Sequence, residues 1–166
     1  MSGSLPRWLV QSPEQIPPTP YLTARPRRGA SKGGARIGVV TSGSPAHAND
    51  ANRSLDQKSA LQLLSALGDS LSLDPMSTGA RDMADTAEII AGLELVITVD
   101  TSVAHLAGAL GKPCWVMLPA VGVDWRWMRD RSDSPWYASL RLFRQAKPGD
   151  WSAVIDAIAD QLNSSS

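Results

Sequence analysis

The stretch Leu93-Glu-Leu-Val-Ile-Thr-Val-Asp-Thr-Ser-Val-Ala-His-Leu-Ala-Gly-Ala-Leu-Gly-Lys-Pro113 decides the fold. Through Val99 it is an apolar run of the kind a strand buried on both faces carries. From Val103 the apolar residues recur on a helical period, with Leu106, Ala107 and Leu110 on one face. Gly111 and then Pro113 close that helix in the usual order. Asp100, Thr101 and Ser102 lie between, so a strand turns directly into a helix. A helix start exposes unpaired N–H groups and a partial positive charge, which suit an anion. In an open parallel sheet, ligands sit beyond the carboxyl ends of strands, where this turn falls. His105 shares a helix face with Thr101 and Ser102, and its side chain inclines toward the turn. A Ser, Thr or Asp at such a junction also serves as a plain cap, and a lone histidine is often structural. The apolar stripe lies on the opposite face, so packing is not expected to need His105.

Outward from this stretch the same alternation continues. Arg36-Ile-Gly-Val-Val-Thr41 reads as the first strand and opens into the polar loop 42–54. Ser54 with Gln57 forms a capping-box pattern, and Leu61, Leu64 and Leu67 give the next helix its expected buried face. Leu71-Ser-Leu73 is a short strand. Asp82 caps a helix with apolar positions Met83, Ala87 and Ile90, closed by Gly92. Cys114-Trp-Val-Met-Leu118 is a further buried strand, and a Trp-rich loop spans Asp124 to Tyr137. Leu140-Arg-Leu-Phe-Arg144 alternates as a last strand, and an amphipathic helix capped by Asp150 runs from Trp151 to Leu162. Strands alternating with helices predict an α/β fold, a Rossmann-like parallel sheet with helices on both faces. Trp127 and Trp136 are expected to cover a sheet end, each with one partner for its N–H.

Residues 1–35 read as an extended, basic Pro/Gly-rich arm, and residues 36–166 as the folded domain. The arm holds six of the 12 prolines, and Arg7, Arg25, Arg27, Arg28 and Lys32 against Glu14 alone. Pro and Gly at that density cannot sustain ladders or helices. Trp8, Leu9, Val10, Tyr21 and Leu22 suggest that parts of it dock. A basic arm is also commonly just a solvated tail. With 166 residues and zero formal net charge, nothing argues for nucleic acid or an anionic membrane. One cysteine, Cys114, excludes an internal disulfide and fits a cytoplasmic setting. The two histidines, His47 and His105, make no metal-ligand set, and no metal or other cofactor is expected. No apolar stretch is long enough to span a bilayer, and no signal peptide is evident. No Gly-x-Gly-x-x-Gly or P-loop is present, which argues against an ordinary dinucleotide enzyme or NTPase.

Val99-Asp-Thr-Ser-Val-Ala-His-Leu-Ala-Gly-Ala-Leu-Gly-Lys-Pro113 resembles the donor-site motif of the lipopolysaccharide heptosyltransferase family. The resemblance is closest to its bacterial relatives fused to tetratricopeptide repeats. Those relatives carry patterns like Trp125-Arg-Trp-Met-Arg-Asp-Arg-Ser-Asp-Ser-Pro-Trp-Tyr137, Arg141-Leu-Phe-Arg-Gln145 and Gly149-Asp-Trp151. Ser42-Gly-Ser-Pro-Ala-His47 with Asn49-Asp50 and Arg53-Ser54 resembles their first loop, and Arg81-Asp-Met-Ala-Asp-Thr-Ala87 the start of their penultimate helix. The likeness runs from about Pro20 to Leu162. It implies one half of a two-domain GT-B fold, the carboxy-terminal, donor-binding half, here shortened by about one strand–helix unit between Ser54 and Asp82.

The resemblance further implies a nucleoside-diphosphate sugar donor, transferred with inversion and without a metal. Asp100, Thr101, Ser102 and His105 would sit at its phosphates and sugar, with Arg53 neutralising the diphosphate and Ser42 and Gly43 on the phosphate-side loop. Asp100 is better suited to cap or to accept from a sugar hydroxyl than to touch phosphate. Asp124, Trp125 and Arg126, just past a strand's carboxyl end, are possible sugar or acceptor contacts. The catalytic base is unassigned. A two-domain enzyme of this type needs roughly 300 residues, so an amino-terminal domain or self-association is the expected partner. The chain alone is expected not to transfer sugar. The rival expectation is a non-catalytic module that binds a nucleotide sugar or a protein.

Overall fold

The computed structural model describes Ser12, Gln15, residues 17–27 and residues 36–164. The expected docking of Trp8, Leu9 and Val10 falls outside the described residues. Five strands form one parallel sheet: β1 Ile37–Val40, β2 Ser70–Ser72, β3 Leu95–Val99, β4 Cys114–Leu118 and β5 Leu140–Arg144, in the order β2-β1-β3-β4-β5. Among the described residues six α-helices accompany them: α1 Asp50–Arg53, α2 Gln57–Leu67, α3 Pro75–Thr78, α4 Met83–Ala91, α5 Ser102–Ala109 and α6 Ser152–Asn163. The expected Rossmann-like α/β fold is therefore present.

Successive residues of the central strands alternate between two apolar layers. Val96, Val116, Leu118 and Leu142 join the layer covered by α4 and α5. Ile97, Val99, Met117 and Phe143 join the one covered by α2 and α6. The crossover from β1 runs through α2 on one face, while the crossover from β3 runs through α5 on the other. The loops after β1 and β3 therefore part, and a crevice opens between their carboxyl ends.

Three local expectations are corrected. Ser54 does not open α2. Asp56 does, its carboxylate accepting from the Ser59 N–H at 3.0 Å and from the Ser59 hydroxyl at 2.8 Å. Ser54 instead accepts from the Gly43 N–H at 2.9 Å, which ties the loop after β1 to the end of α1. The stripe of α2 is also rotated from the expected one. Leu63 and Leu67 are buried, whereas Leu61 and Leu64 are exposed. In α4, likewise, Thr86, Ala87, Ile89 and Ile90 are buried and Met83 is exposed. Between β2 and α4 the chain makes only the single turn of α3, capped by Asp74.

The described part of the arm does dock. Tyr21 and Leu22 both donate their N–H to the Ala109 carbonyl at the end of α5, and Arg27 donates to that of Glu88. Pro20 rests on Gly111, where φ is +69° and a Cβ would meet the proline ring at 2.5 Å.

Candidate functional site

The carboxyl ends of β1 and β3 hold a cavity of about 420 Å³ lined by His47, Asn49, Arg53, Asp100, Thr101, Ser102, His105, Gly122 and Asp124. Six of the residues singled out in the sequence thus converge. Ser42 and Gly43 line an adjoining groove of about 370 Å³ that shares Thr101 and Ser102. Trp125 faces a third cavity, at the ends of β4 and β5. Arg126 lines none of the three. Its guanidinium grips both oxygens of Asp124 and covers the Trp125 ring at 4.9 Å.

The start of α5 forms the floor. Thr101 occupies the N-cap in an extended conformation, but its hydroxyl turns inward to share a 3.1 Å hydrogen bond with that of Thr98. The Ala104 N–H already donates to the Thr101 carbonyl at 3.1 Å, which leaves the Ser102 hydroxyl and the N–H groups of Ser102 and Val103 for a ligand. Asp100 is not a cap. Its carboxylate accepts the indole N–H of the fully buried Trp127 at 2.7 Å, 27 positions along the chain. Its carbonyl accepts from Arg53 Nη1 at 2.7 Å.

Arg53 is itself 9 % exposed, and Asp50 accepts from its Nε at 3.1 Å. Gly43 lies so close that a Cβ there would come within 2.5 Å of Arg53 Nη2, so only glycine fits against the guanidinium. Two cations, Arg53 and Arg126, thus stand against three carboxylates, Asp50, Asp100 and Asp124. Attraction for an anion rests on oriented N–H donors and the α5 dipole rather than on net charge.

His105 faces the cavity and also packs against its neighbours, contacts that the sequence reading did not include. Its ring stacks on Trp127 at 4.8 Å and 17°, and Nδ1 shares a 3.3 Å hydrogen bond with the Tyr137 hydroxyl. Burial lowers its pKa below the ordinary value. Asp100 pulls the other way, Arg126 adds to the lowering, and Asp124 opposes it. Tyr137 fits because position 108 is glycine: a Cβ there would meet its ring at 2.4 Å.

The sequence reading quoted Asn49 and Tyr137 within motifs but gave neither a role of its own. Asn49 donates to the carbonyls of Val121 and Gly122, at 3.2 and 2.8 Å, and so ties the loop after β1 to the loop after β4. Trp136 donates its indole N–H to the Arg126 carbonyl at 3.0 Å, the single partner expected of it. Among the described residues, no three His, Cys, Asp or Glu side chains are grouped to hold a metal ion, and no helix is long and apolar enough to cross a membrane.

With this geometry in place, known proteins offer a comparison. Residues 78–116 match the family model of glycosyltransferase family 9 (heptosyltransferase). The match covers α4, β3, the Asp100–Ser102 turn and α5, and within it the turn and the start of α5 line the cavity. Protein FlbA of Caulobacter vibrioides (strain ATCC 19089 / CIP 103742 / CB 15) is 32% identical over 82 residues, which are 49% of this chain and 13% of FlbA. The chain thus spans a small part of that curated relative. No solved structure matches. The chain carries a module similar to family 9 glycosyltransferases, on a Rossmann-like α/β fold.

Proposed function

We propose that this chain is the donor-binding half of a GT-B glycosyltransferase that uses a nucleoside-diphosphate sugar, without a metal and with inversion. The reading places it with the carboxy-terminal halves of cytoplasmic bacterial heptosyltransferases and their tetratricopeptide-fused relatives. The observation that carries it is the convergence of Arg53, Ser102 and His105 on one cavity at the β1/β3 crevice. A departing nucleoside diphosphate gathers negative charge. Fixed N–H groups at the start of α5 stabilise that charge without reorganising, and Arg53 adds a charge-assisted donor. Ser42 and Gly43 border the same path, and Asp124 lines the cavity from the loop after β4.

A single sheet supplies one wall of such a site. Transfer also needs an acceptor and a base within reach, and exclusion of water. On this reading the 166-residue chain binds the donor weakly and does not transfer sugar.

Calorimetric titration with ADP-, UDP- and GDP-sugars tests the site, using the Ser102→Pro variant. Proline is compatible with the first helical position, and Thr101 is already extended. The substitution removes a hydroxyl and an N–H donor and is expected to weaken nucleotide binding by about 1–3 kcal/mol. Equal affinity in the variant overturns the donor site, as does absence of binding in the parent chain. Sugar transfer by the purified chain above donor hydrolysis overturns the half-enzyme reading.

A further inference from the structure

We propose that the cavity at the carboxyl ends of β4 and β5 is a second ligand site, shaped for a carbohydrate that carries an oxyanion. It encloses about 930 Å³ and borders the first cavity at Gly122 and Asp124, but contains none of Arg53, Thr101, Ser102 or His105. The assignment therefore stands independently of the donor reading.

Three observations point to the ligand. The first is Trp125, 58 % exposed on the cavity wall. Arg126 covers its ring at 4.9 Å and Trp136 meets it edge-on at 5.6 Å, so the indole is held in place. A fixed, exposed indole offers the apolar platform on which the C–H face of a sugar ring rests.

The second is uncompensated positive charge. Among the described residues, neither Arg129 nor Arg144 has a carboxylate within ion-pair distance. Arg144 donates only to the neutral carbonyls of Arg131, at 3.2 Å, and of Trp127. Asp130 acts on it through space, and burial weakens its hold on its proton. Asp124, the carboxylate of this wall, is already occupied by Arg126.

The third is Gln145, which lines the cavity and is 5 % exposed. Its Oε1 accepts the Ala120 N–H at 3.2 Å, while its buried amide nitrogen has no acceptor. Buried donors are nearly always satisfied. An oxygen-rich ligand that draws the Gln145 amide outward supplies the missing acceptor, and its anionic group supplies the counter-charge that neither arginine has within ion-pair distance.

NMR titration of the ¹⁵N-labelled chain with glucuronate, glucose 6-phosphate, glucose and inorganic phosphate tests the site. The Trp125 indole and Gln145 side-chain signals should move with either or both charged sugars, which also tells carboxylate from phosphate. Glucose and phosphate alone should leave them in place at the same concentration. Arg129→Gln, at an exposed position, should weaken the charged sugar about tenfold with the remaining spectrum unchanged. The proposal is overturned if neither charged sugar shifts these signals. It is equally overturned if glucose or inorganic phosphate binds as well, or if Arg129→Gln binds with parental affinity.

Discussion

The imidazole of His105 lies between the cavity and the indole of Trp127, so one ring serves both packing and ligand reach. Its depressed pKa makes stability pH-dependent with a definite sign. Well above the ordinary histidine value, near 6.5, the ring is neutral folded and unfolded, and the packing is fully available. As pH falls through that value, the unfolded chain takes up the proton first, so unfolding is favoured until the folded-state pKa is passed. NMR titration of the His105 ring should give a midpoint below the ordinary value, and inorganic phosphate in the cavity should raise it. A midpoint at or above the ordinary value in the free chain contradicts the burial account. At this scale the sequence was a partial guide. It brought Thr101, Ser102 and His105 together because local helical geometry does so. It did not reveal that Asp100 holds Trp127, since nothing local links positions 27 apart.

Helix α5 shows how an element sets the site. Its Gly108 faces Tyr137 with no room for a methyl group, and Tyr137 in turn holds His105. Gly108→Ala gains helix propensity, up to about 1 kcal/mol, but must push an aromatic ring aside. Overpacking of that kind costs typically 1–3 kcal/mol. The expected outcome is net destabilisation in urea together with displaced Tyr137 and His105 resonances. Unchanged or increased stability would mean that the tyrosine yields freely.

The buried strands were legible because each reads as a short apolar run between turn residues. The face of α2 was not. Leucines at 61, 63, 64 and 67 support two stripes, and only packing against α6 selects Leu63 and Leu67. The start of α2 was misplaced for a similar reason: two cap residues stand close together, and Asp56 gains both a backbone and a hydroxyl donor from Ser59.

Over the whole molecule, the arm is part of the fold where it is described. Pro18 accepts from the Ala138 N–H, Tyr21 and Leu22 share the Ala109 carbonyl, and Arg27 reaches Glu88. The strap thus joins α4, α5 and the approach to β5. Removing residues 1–27 should lower stability by about 1–3 kcal/mol, from the orphaned carbonyls alone. Calorimetry should show one transition at a lower Tm, and an unchanged Tm would mean that the strap is merely draped. Composition predicted an extended path for this segment, but not where it would lie. Tyr21 and Leu22 stay exposed, and the attachment is made by backbone hydrogen bonds together with Pro20 on Gly111 and Ala24 against the core.

Cys114 begins β4, hydrogen-bonded between β3 and β5, with no exposed surface. Burial pushes its thiol far above the ordinary range, so the reactive thiolate is suppressed as well as enclosed. As the chain's one cysteine, it has no competitor for a thiol reagent. Modification therefore waits on the parting of the central ladder, and each labelled molecule records one such opening. The protein carries its own counter of sheet rupture. Ligands that bind across the loops after β1, β3 and β4 should slow that count in proportion to how firmly they clasp the three strands together.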